Sequence, residues 1–151
     1  MVTSLFWRPR YRMSNSISPS NKEITTESPR ILYVEWYKDA EEVTTRLLRL
    51  AGYEVTSVPT LAESVQLARA EHFDLYLISE YTSDYYTGVE LCRQLRAFNR
   101  ETPILFYSTL AYSGNQIEAL STGAQAYLTK PCEFDDLNQT IHGLIRDGRA
   151  N

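Results

Sequence analysis

The chain has 151 residues, the length of one ordinary domain with a single hydrophobic core. Hydrophobic residues make up 43% of it and charged residues 23%, which excludes a chain that is disordered throughout. No apolar run approaches the roughly 20 residues needed to cross a bilayer, and the two cysteines form neither a disulfide framework nor a zinc site. These features predict a globular protein without a membrane span, in a reducing cytoplasm.

Basic and acidic side chains are unevenly divided along the chain. Residues 1–30 carry five basic and two acidic groups, a net charge of +3, whereas residues 31–151 carry 10 basic and 17 acidic groups, a net charge of −7. Because neutralising phosphates requires clustered Lys and Arg, the acidic part is not expected to bind nucleic acid. Residues 14–29 are rich in Ser, Thr, Asn and Pro, so residues 1–29 are predicted to be a disordered tail that is dispensable for folding.

Short apolar runs alternate with amphipathic segments from Arg30 onwards. The apolar runs are typical of strands buried on both faces. The predicted strands are 31–34, 53–58, 75–78, 104–107 and 126–128. Strands that alternate with helices require a parallel sheet covered on both sides. The pattern therefore predicts an α/β fold over residues 30–147, a flavodoxin-like, doubly wound three-layer sandwich with strand order 2-1-3-4-5, followed by a short tail at 148–151.

Polar residues mark where the predicted helices begin. Asp39 is a candidate N-cap for the first helix, whose apolar face would comprise Val43, Leu47, Leu50 and Ala51. Three pairs have the spacing of a capping box and would begin the next three helices, namely Thr60 with Glu63, Thr87 with Glu90, and Ser113 with Gln116. The fifth helix is predicted over 134–147, with Leu137, Ile141, Leu144 and Ile145 facing inwards.

Chemically distinctive residues directly follow four of the strands. Glu35 and Trp36 follow the first strand, Glu80 follows the third, Ser108 and Thr109 follow the fourth, and Lys130 follows the fifth. The carboxyl ends of parallel strands meet at one edge of a doubly wound sheet, where such folds bind ligands. An acid, hydroxyl and lysine cluster there suits a divalent cation with a phosphate, or an internal salt bridge in their place.

Four short segments carry a resemblance to a known family. They read Leu-Ile-Ser-Glu at 77–80, Gly-Val-Glu-Leu at 88–91, Thr-Pro-Ile-Leu at 102–105 and Tyr-Leu-Thr-Lys-Pro at 127–131. In this order, on five strand–helix units, the chain resembles the receiver domains of two-component response regulators over residues 30–147.

The resemblance implies a role for each residue at the strand ends. Glu80 occupies the phosphoacceptor position, and Ser108 and Lys130 are the residues expected to contact a phosphate. Tyr127 corresponds to the aromatic residue that changes rotamer with activation. Pro131 is expected to follow a cis peptide bond, since X-Pro bonds carry little cis penalty.

The chain departs from the family pattern at two positions. Family members bind Mg²⁺ with two acids after the first strand and accept the phosphoryl group on an aspartate after the third. Here Trp36 replaces one of those acids, leaving Glu35, and Glu80 replaces the aspartate. These departures imply an atypical receiver that binds Mg²⁺ through Glu35 and Glu80 weakly or not at all. Glu80 is expected to reach Ser108 and Lys130 and so to mimic the phosphorylated state.

The expected function is that of a stand-alone, non-enzymatic signalling module. It would bind a histidine kinase or another signalling protein through its fourth helix, fifth strand and fifth helix, with the oligomeric state left open. The alternative is a conventional receiver that is phosphorylated. A flavin-binding electron carrier of the same fold is disfavoured, because residues 35–39 read Glu-Trp-Tyr-Lys-Asp and lack a glycine-rich phosphate loop.

Overall fold

A computed structural model describes residues 27–150, which form one five-stranded parallel sheet with helices on both faces. The strands are β1 (Arg30–Val34), β2 (Glu54–Val58), β3 (Leu75–Ile78), β4 (Ile104–Ser108) and β5 (Ala126–Thr129). The helices are α1 (Lys38–Leu50), α2 (Leu61–Ala70), α3 (Gly88–Arg96), α4 (Ser113–Thr122) and α5 (Phe134–Arg149). The sheet order is β2-β1-β3-β4-β5, which confirms the predicted α/β fold class and topology.

Helices cover both faces of the sheet. Because successive strand residues point to opposite faces, apolar side chains are needed at consecutive positions. In β1, Ile31 and Tyr33 pack with α1 and α5, whereas Leu32 and Val34 pack with α2, α3 and α4. All four side chains are fully buried. The two cores fix the register of the strands, so that their carboxyl ends emerge together at one edge.

Of the four predicted helix caps, two are confirmed and two are wrong. Thr60 and Thr87 each accept a hydrogen bond at 3.1 Å from the backbone N–H three residues later, which begins α2 and α3 as predicted. By contrast, α1 begins after Tyr37 and α4 after Tyr112, and neither has a side-chain cap. Asp39 and Ser113 lie inside those helices, where Asp39 still interacts favourably with the helix dipole.

The predicted apolar face of α1 is wrong at three of its four residues, whereas Ala51, directly after the helix, packs against the core as predicted. Val43 and Leu50 are 60% and 79% exposed, and Leu47 is also exposed. Thr44 and Leu48 are buried in their place. Successive helix positions lie about 100° apart, so Leu47 and Leu48 support two competing faces at the same helical spacing. The structure selects the face on which threonine, not valine, meets the sheet.

The predicted tail at 1–29 lies mostly outside the described residues. Of its last three residues, Pro29 is buried, and its carbonyl accepts a 2.9 Å hydrogen bond from the N–H of Glu54. Pro29 therefore already contributes to the pairing at the start of the sheet. No helix within residues 27–150 is long and apolar enough to cross a bilayer.

Candidate functional site

Four elements place the predicted site residues along the carboxyl edge of the sheet. Glu35 directly follows β1, Glu80 lies two residues after β3, Ser108 ends β4, and Lys130 directly follows β5. Strand register aligns these ends, with Val34 opposite Ile78 and Ile78 opposite Phe106. The residues do not form one cluster but two hydrogen-bonded groups, one around Glu35 and one around Glu80.

The first group is an ion pair between Glu35 and Lys130. Lys130 Nζ lies 2.6 Å from Glu35 Oε2, and the two side chains are only 14% and 1% exposed. Glu35 also accepts hydrogen bonds from the Tyr33 hydroxyl at 3.2 Å and from the N–H of Tyr37 at 3.0 Å. Both carboxylate oxygens of Glu35 are thus occupied by donors of the protein itself.

Two phenol groups next to this pair stay neutral at physiological pH. Burial, with the nearby charge of Glu35 adding to it, raises the pKa of Tyr33. Burial raises the pKa of Tyr107 to about 12. Lys130 Nζ lies 4.8 Å from the centre of the Tyr107 ring, so the ring face adds a cation–π contact to the salt bridge. The ammonium is therefore held by Glu35 and Tyr107 together.

The second group corrects the predicted partners of Glu80. Glu80 Oε1 accepts a 2.8 Å hydrogen bond from the Thr109 hydroxyl, and Oε2 accepts a 3.4 Å bond from the N–H of Thr109. The expectation that Glu80 would reach Ser108 and Lys130 is wrong, because Lys130 is turned towards Glu35, which directly follows β1. The extra methylene of glutamate carries its carboxylate onto the segment that follows β4.

A close backbone approach fixes where Glu80 sits. The carbonyl of Glu80 accepts a 2.8 Å hydrogen bond from the N–H of Gly88, the first residue of α3. A Cβ at position 88 would lie 2.3 Å from the carbonyl oxygen of Ser79, so only glycine fits there. Gly88, quoted above for the family resemblance, thus holds the loop after β3 tightly against the sheet.

Ser108 and Tyr127 both form hydrogen bonds with the backbone of Leu110. Ser108 is completely buried, and its Oγ accepts a 3.0 Å hydrogen bond from the N–H of Leu110. The Tyr127 hydroxyl donates a 2.6 Å hydrogen bond to the carbonyl of Leu110, and its ring stacks on Phe106 with centroids 5.7 Å apart. The sequence places Thr109 at the end of the fourth strand, but no role was predicted for it or for Leu110. A second hydroxyl residue directly after Ser108 was the available signal for Thr109.

Two further predicted features of this edge are the Lys130–Pro131 peptide bond and Trp36. The Lys130–Pro131 peptide bond is cis, as predicted. Trp36 is 46% exposed and lies beside Tyr37, with ring centroids 5.8 Å apart. It therefore forms part of the rim of the site and contributes no oxygen donor to it.

Asp84 ties the loop between β3 and α3 to the start of α2. Its carboxylate accepts hydrogen bonds from the N–H groups of Leu61 at 2.9 Å and Ala62 at 3.2 Å. Partial burial opposes ionisation, but hydrogen bonds from Thr82 and from these amides outweigh it and lower the pKa of Asp84. The neighbouring Tyr85 is almost fully exposed at the tip of this loop, with a φ of 69°.

Replacing Asp84 with asparagine is expected to lower the free energy of unfolding by about 1 kcal/mol at neutral pH, as for the loss of a charged N-terminal cap. Because the folded-state pKa is below the ordinary 3.8, this contribution is present above that value and is lost as the pH falls through the folded pKa. Urea unfolding at about pH 7 and about pH 3 measures the difference. Ser83→Ala, in the adjacent exposed residue, is the matched control. A deficit of equal size at both pH values would contradict the role of the charge.

Comparison with known proteins decides the family. Residues 31–142 match the family model for the response regulator receiver domain. The chain belongs to this family. Its members are signalling proteins of two-component systems, which is the coarse function that the predicted resemblance implied.

Individual relatives agree with this assignment. The transcriptional regulatory protein CusR of Escherichia coli K12 is 31% identical over 121 residues, which are 80% of this chain and 53% of CusR. The solved receiver domain of Francisella response regulator 1452 is 27% identical with a TM-score of 0.74, and the match covers 80% of this chain and 98% of that one. The chain thus spans about half the length of the curated relatives that it matches, and nearly all of a solved receiver domain.

One solved relative contains a metal ion. The receiver domain of the sensor histidine kinase PA1611 from Pseudomonas aeruginosa is 28% identical, with a TM-score of 0.72 over 78% of this chain and 98% of that one. It holds a magnesium ion coordinated in its active-site cleft.

The residues of the present chain do not fit such an ion. Mg²⁺ prefers carboxylate, carbonyl and water oxygens in octahedral geometry. Glu35 is already paired with Lys130, Trp36 has no oxygen to offer, and Glu80 is bound to Thr109. Within residues 27–150, no group of three or more Asp, Glu, His or Cys side chains is placed to hold a metal ion.

Proposed function

We propose that this protein is an atypical receiver that signals through protein contacts and does not undergo phosphoryl transfer at Glu80. The observation that carries the proposal is the division of the site into two separate hydrogen-bonded groups. Lys130 is neutralised by Glu35 at 2.6 Å, and Glu80 is bound at both oxygens by Thr109. The two residues that a phosphoryl group would need are engaged with other parts of the protein.

The position of Glu80 argues against transfer on geometric grounds. Glutamate extends its carboxylate by about 1.5 Å beyond that of aspartate, and a misplacement of about 1 Å can cost about 10²-fold in rate. In the structure this extra length is used to reach Thr109. A donor phosphorus atom would have to displace that contact before the carboxylate could attack it.

The state of Lys130 argues against transfer on electrostatic grounds. Phosphoryl transfer needs positive charge beside the developing negative charge. Lys130 supplies that charge only if it leaves Glu35, and Glu35 would then remain 1% exposed without its counter-ion. Because an unpaired buried carboxylate is costly, Lys130 is expected to stay paired with Glu35.

The proposed partner is a protein, either a histidine kinase or another signalling protein. The surface that supports this contains exposed apolar side chains at the start and along the face of α4. Tyr112 is 80% exposed, Ile117 66% and Leu120 46%. Together with β5 and α5, this surface is the proposed binding face. A cytoplasmic location is part of the same proposal and rests on free cysteines, Cys92 and Cys132.

Mg²⁺ at millimolar concentrations is expected to leave the fluorescence of Trp36 unchanged. The reason is that Glu35 is paired with Lys130 and the indole itself offers no ligand. Titration of a Trp7→Phe variant isolates the emission of Trp36, because the chain contains two tryptophans. A saturable change that disappears in Glu35→Gln would show that the edge still binds the metal and would count against the proposal.

The direct test is an intact-mass measurement. The full chain is incubated with a small acyl phosphate and Mg²⁺, next to an aspartate-bearing receiver domain as a positive control. We expect no gain of a phosphoryl mass under conditions in which the control is labelled. Labelling of this chain would instead support the alternative, a conventional phosphorylatable receiver, which is favoured by the presence of Ser108 and Lys130 at their family positions.

A further inference from the structure

A cavity of about 290 Å³ opens where the segment after β1 meets the segment after β2. Trp36 and Pro59 line it from these two segments, and Glu41 lines it from α1. The ring of Trp36 is 46% exposed. Because β2 and β5 are the outer strands on opposite sides of the sheet, this cavity is distinct from the proposed binding face on α4, β5 and α5.

The carboxylate of Glu41 is held in position inside this cavity. The hydroxyl groups of Ser57 and Thr45 both donate hydrogen bonds to its Oε1, the second at 3.0 Å. Within residues 27–150, no side chain or backbone group donates a hydrogen bond to its Oε2. Glu41 is therefore fixed in one orientation, with one oxygen available to a donor that enters the cavity.

An indole ring next to such a carboxylate suits the guanidinium group of arginine. A planar guanidinium stacks on aromatic rings, and tryptophan is the best of these rings for a cation. The N–H groups of the guanidinium also donate strong, charge-assisted hydrogen bonds to carboxylates.

The other charged residues of the cavity already have partners. Lys38 Nζ lies 3.8 Å from Glu42, and Glu35 is paired with Lys130. Among the described residues that line the cavity, Glu41 is the acid without an ion-pair partner. The charge of Glu41 thus favours a cationic ligand.

We propose that this cavity binds the guanidinium of an arginine, and that the arginine belongs to residues 8–12 of the same chain. These residues lie outside the described part of the chain and read Arg-Pro-Arg-Tyr-Arg, with three basic groups and no acid. Residues 31–151, by contrast, carry a net charge of −7. The opposite charges favour the contact. The proposal does not depend on whether Glu80 accepts a phosphoryl group.

The length of the intervening chain allows this contact. The described residues begin at Glu27, just before β1, and the cavity lies beyond the other end of that strand. A strand of five residues such as β1 spans about 17 Å, whereas the 14 residues at 13–26 can span up to about 45 Å. A ligand linked to its site acts at an effective concentration of about millimolar, so even a weak contact is populated.

An occupied cavity would cover one side of the candidate site. Trp36 directly follows Glu35, so a bound arginine would bury more of the indole and place a basic segment beside that acid. A protein that approaches from the β1 side would have to displace this segment first. The proposed binding face on α4, β5 and α5 would stay open.

The test observes the indole N–H of Trp36 by NMR in the full chain. A Trp7→Phe background leaves Trp36 as the single tryptophan of the sequence, so its indole N–H gives one resonance that needs no further assignment. Arg8→Gln, Arg10→Gln and Arg12→Gln together remove the proposed ligand. We expect this triple glutamine variant to shift the Trp36 resonance.

Further changes in the N-terminal segment identify the group that binds. Lys22→Gln removes a basic group outside residues 8–12 and should leave the Trp36 resonance unchanged. Unlabelled synthetic peptides of residues 6–13, with arginine or with lysine at the three basic positions, are titrated into the triple glutamine variant. The arginine peptide should reverse the shift saturably. The lysine peptide should bind about two- to fivefold more weakly, the factor that corresponds to a cation–π contact at an exposed site.

Glu41→Gln tests the cavity itself. It removes the charge but keeps an oxygen that can accept from Ser57 and Thr45. In this background the three arginine substitutions should have no further effect on Trp36, because the proposed contact is already lost. Glu42→Gln is the matched control, since Glu42 is the next residue and does not line the cavity. There the arginine substitutions should shift the resonance in full.

Three outcomes would overturn the proposal. They are an unchanged Trp36 resonance in the triple glutamine variant, an equal shift in the Glu41→Gln background, and equal binding of the two peptides. A resonance that moves on dilution of the protein would assign the arginine to a second copy and overturn the contact within one chain. Phosphoryl labelling of the unmodified chain would defeat the proposed function alone, because the contact with residues 8–12 does not involve Glu80.

Discussion

Replacing Lys130 with alanine is expected to lower the free energy of unfolding by about 3–5 kcal/mol, the usual cost of removing one partner from a buried ion pair. The substitution leaves Glu35 with two neutral donors, the Tyr33 hydroxyl and the Tyr37 N–H, inside a site where its side chain is 1% exposed. Chemical denaturation of the full chain measures the change. Lys38→Ala is the matched control, because Lys38 is 82% exposed and its bond to Glu42 is a long 3.8 Å, so its loss should cost less than about 0.5 kcal/mol.

A double-mutant cycle identifies the partner of Lys130. The cycle of Lys130→Ala with Glu35→Gln should show a coupling energy of about 1–3 kcal/mol, because the two groups are in direct contact. The cycle of Lys130→Ala with Glu80→Gln should be nearly additive, since Glu80 is bound to Thr109 instead. Strong coupling to Glu80 and none to Glu35 would restore the pairing expected from the sequence and would contradict the structural assignment.

The sequence was sufficient to predict the fold and the edge of the sheet at which the candidate residues lie. Buried strands, Thr60 and Thr87 at helix starts, and Lys130-Pro131 after the last strand are local signals whose meaning does not depend on tertiary contacts. The topology of a doubly wound sheet then required the residues at the strand ends to share one edge. For this reason the placement of Glu35, Ser108 and Lys130 at one edge of the sheet was accessible without coordinates.

The partners within the site were not accessible in the same way. Lys130 has a long flexible side chain that could turn towards either carboxylate. Its pairing with Glu35 depends on the burial of that carboxylate and on the hydrogen bonds it accepts from the Tyr33 hydroxyl and the Tyr37 N–H. The reach of Glu80 to Thr109 likewise depends on where the backbone turns after β4.

The error in α1 has the same origin. Leu47 and Leu48 allow two apolar faces, and the choice is made by packing against the sheet, which sequence periodicity alone does not contain.

Restoring aspartate at both positions 36 and 80 is expected to make the protein accept one phosphoryl group from a small acyl phosphate, in the presence of Mg²⁺. Trp36 is 46% exposed at the rim, so an aspartate there should cost little stability. It would place a second carboxylate beside Glu35, and oxygen donors of this kind are the ligands that Mg²⁺ prefers. Glu80→Asp withdraws the carboxylate from Thr109 and returns it to the shorter reach of the family's acceptor.

Each single substitution is expected to label at least about 10²-fold less than the pair, because one leaves the acceptor misplaced and the other leaves the cation site incomplete. Intact mass after incubation with and without Mg²⁺ distinguishes the variants. Adding Lys130→Ala to the pair should abolish labelling, since Mg²⁺ then faces the transferred group without the ammonium that must act beside it. Circular dichroism must show that this triple variant is folded, and Lys38→Ala in the same background should label normally. If Glu80→Asp alone labels as well as the pair, Trp36 is not what disables the site, and the Glu80–Thr109 contact is then the whole obstacle to transfer.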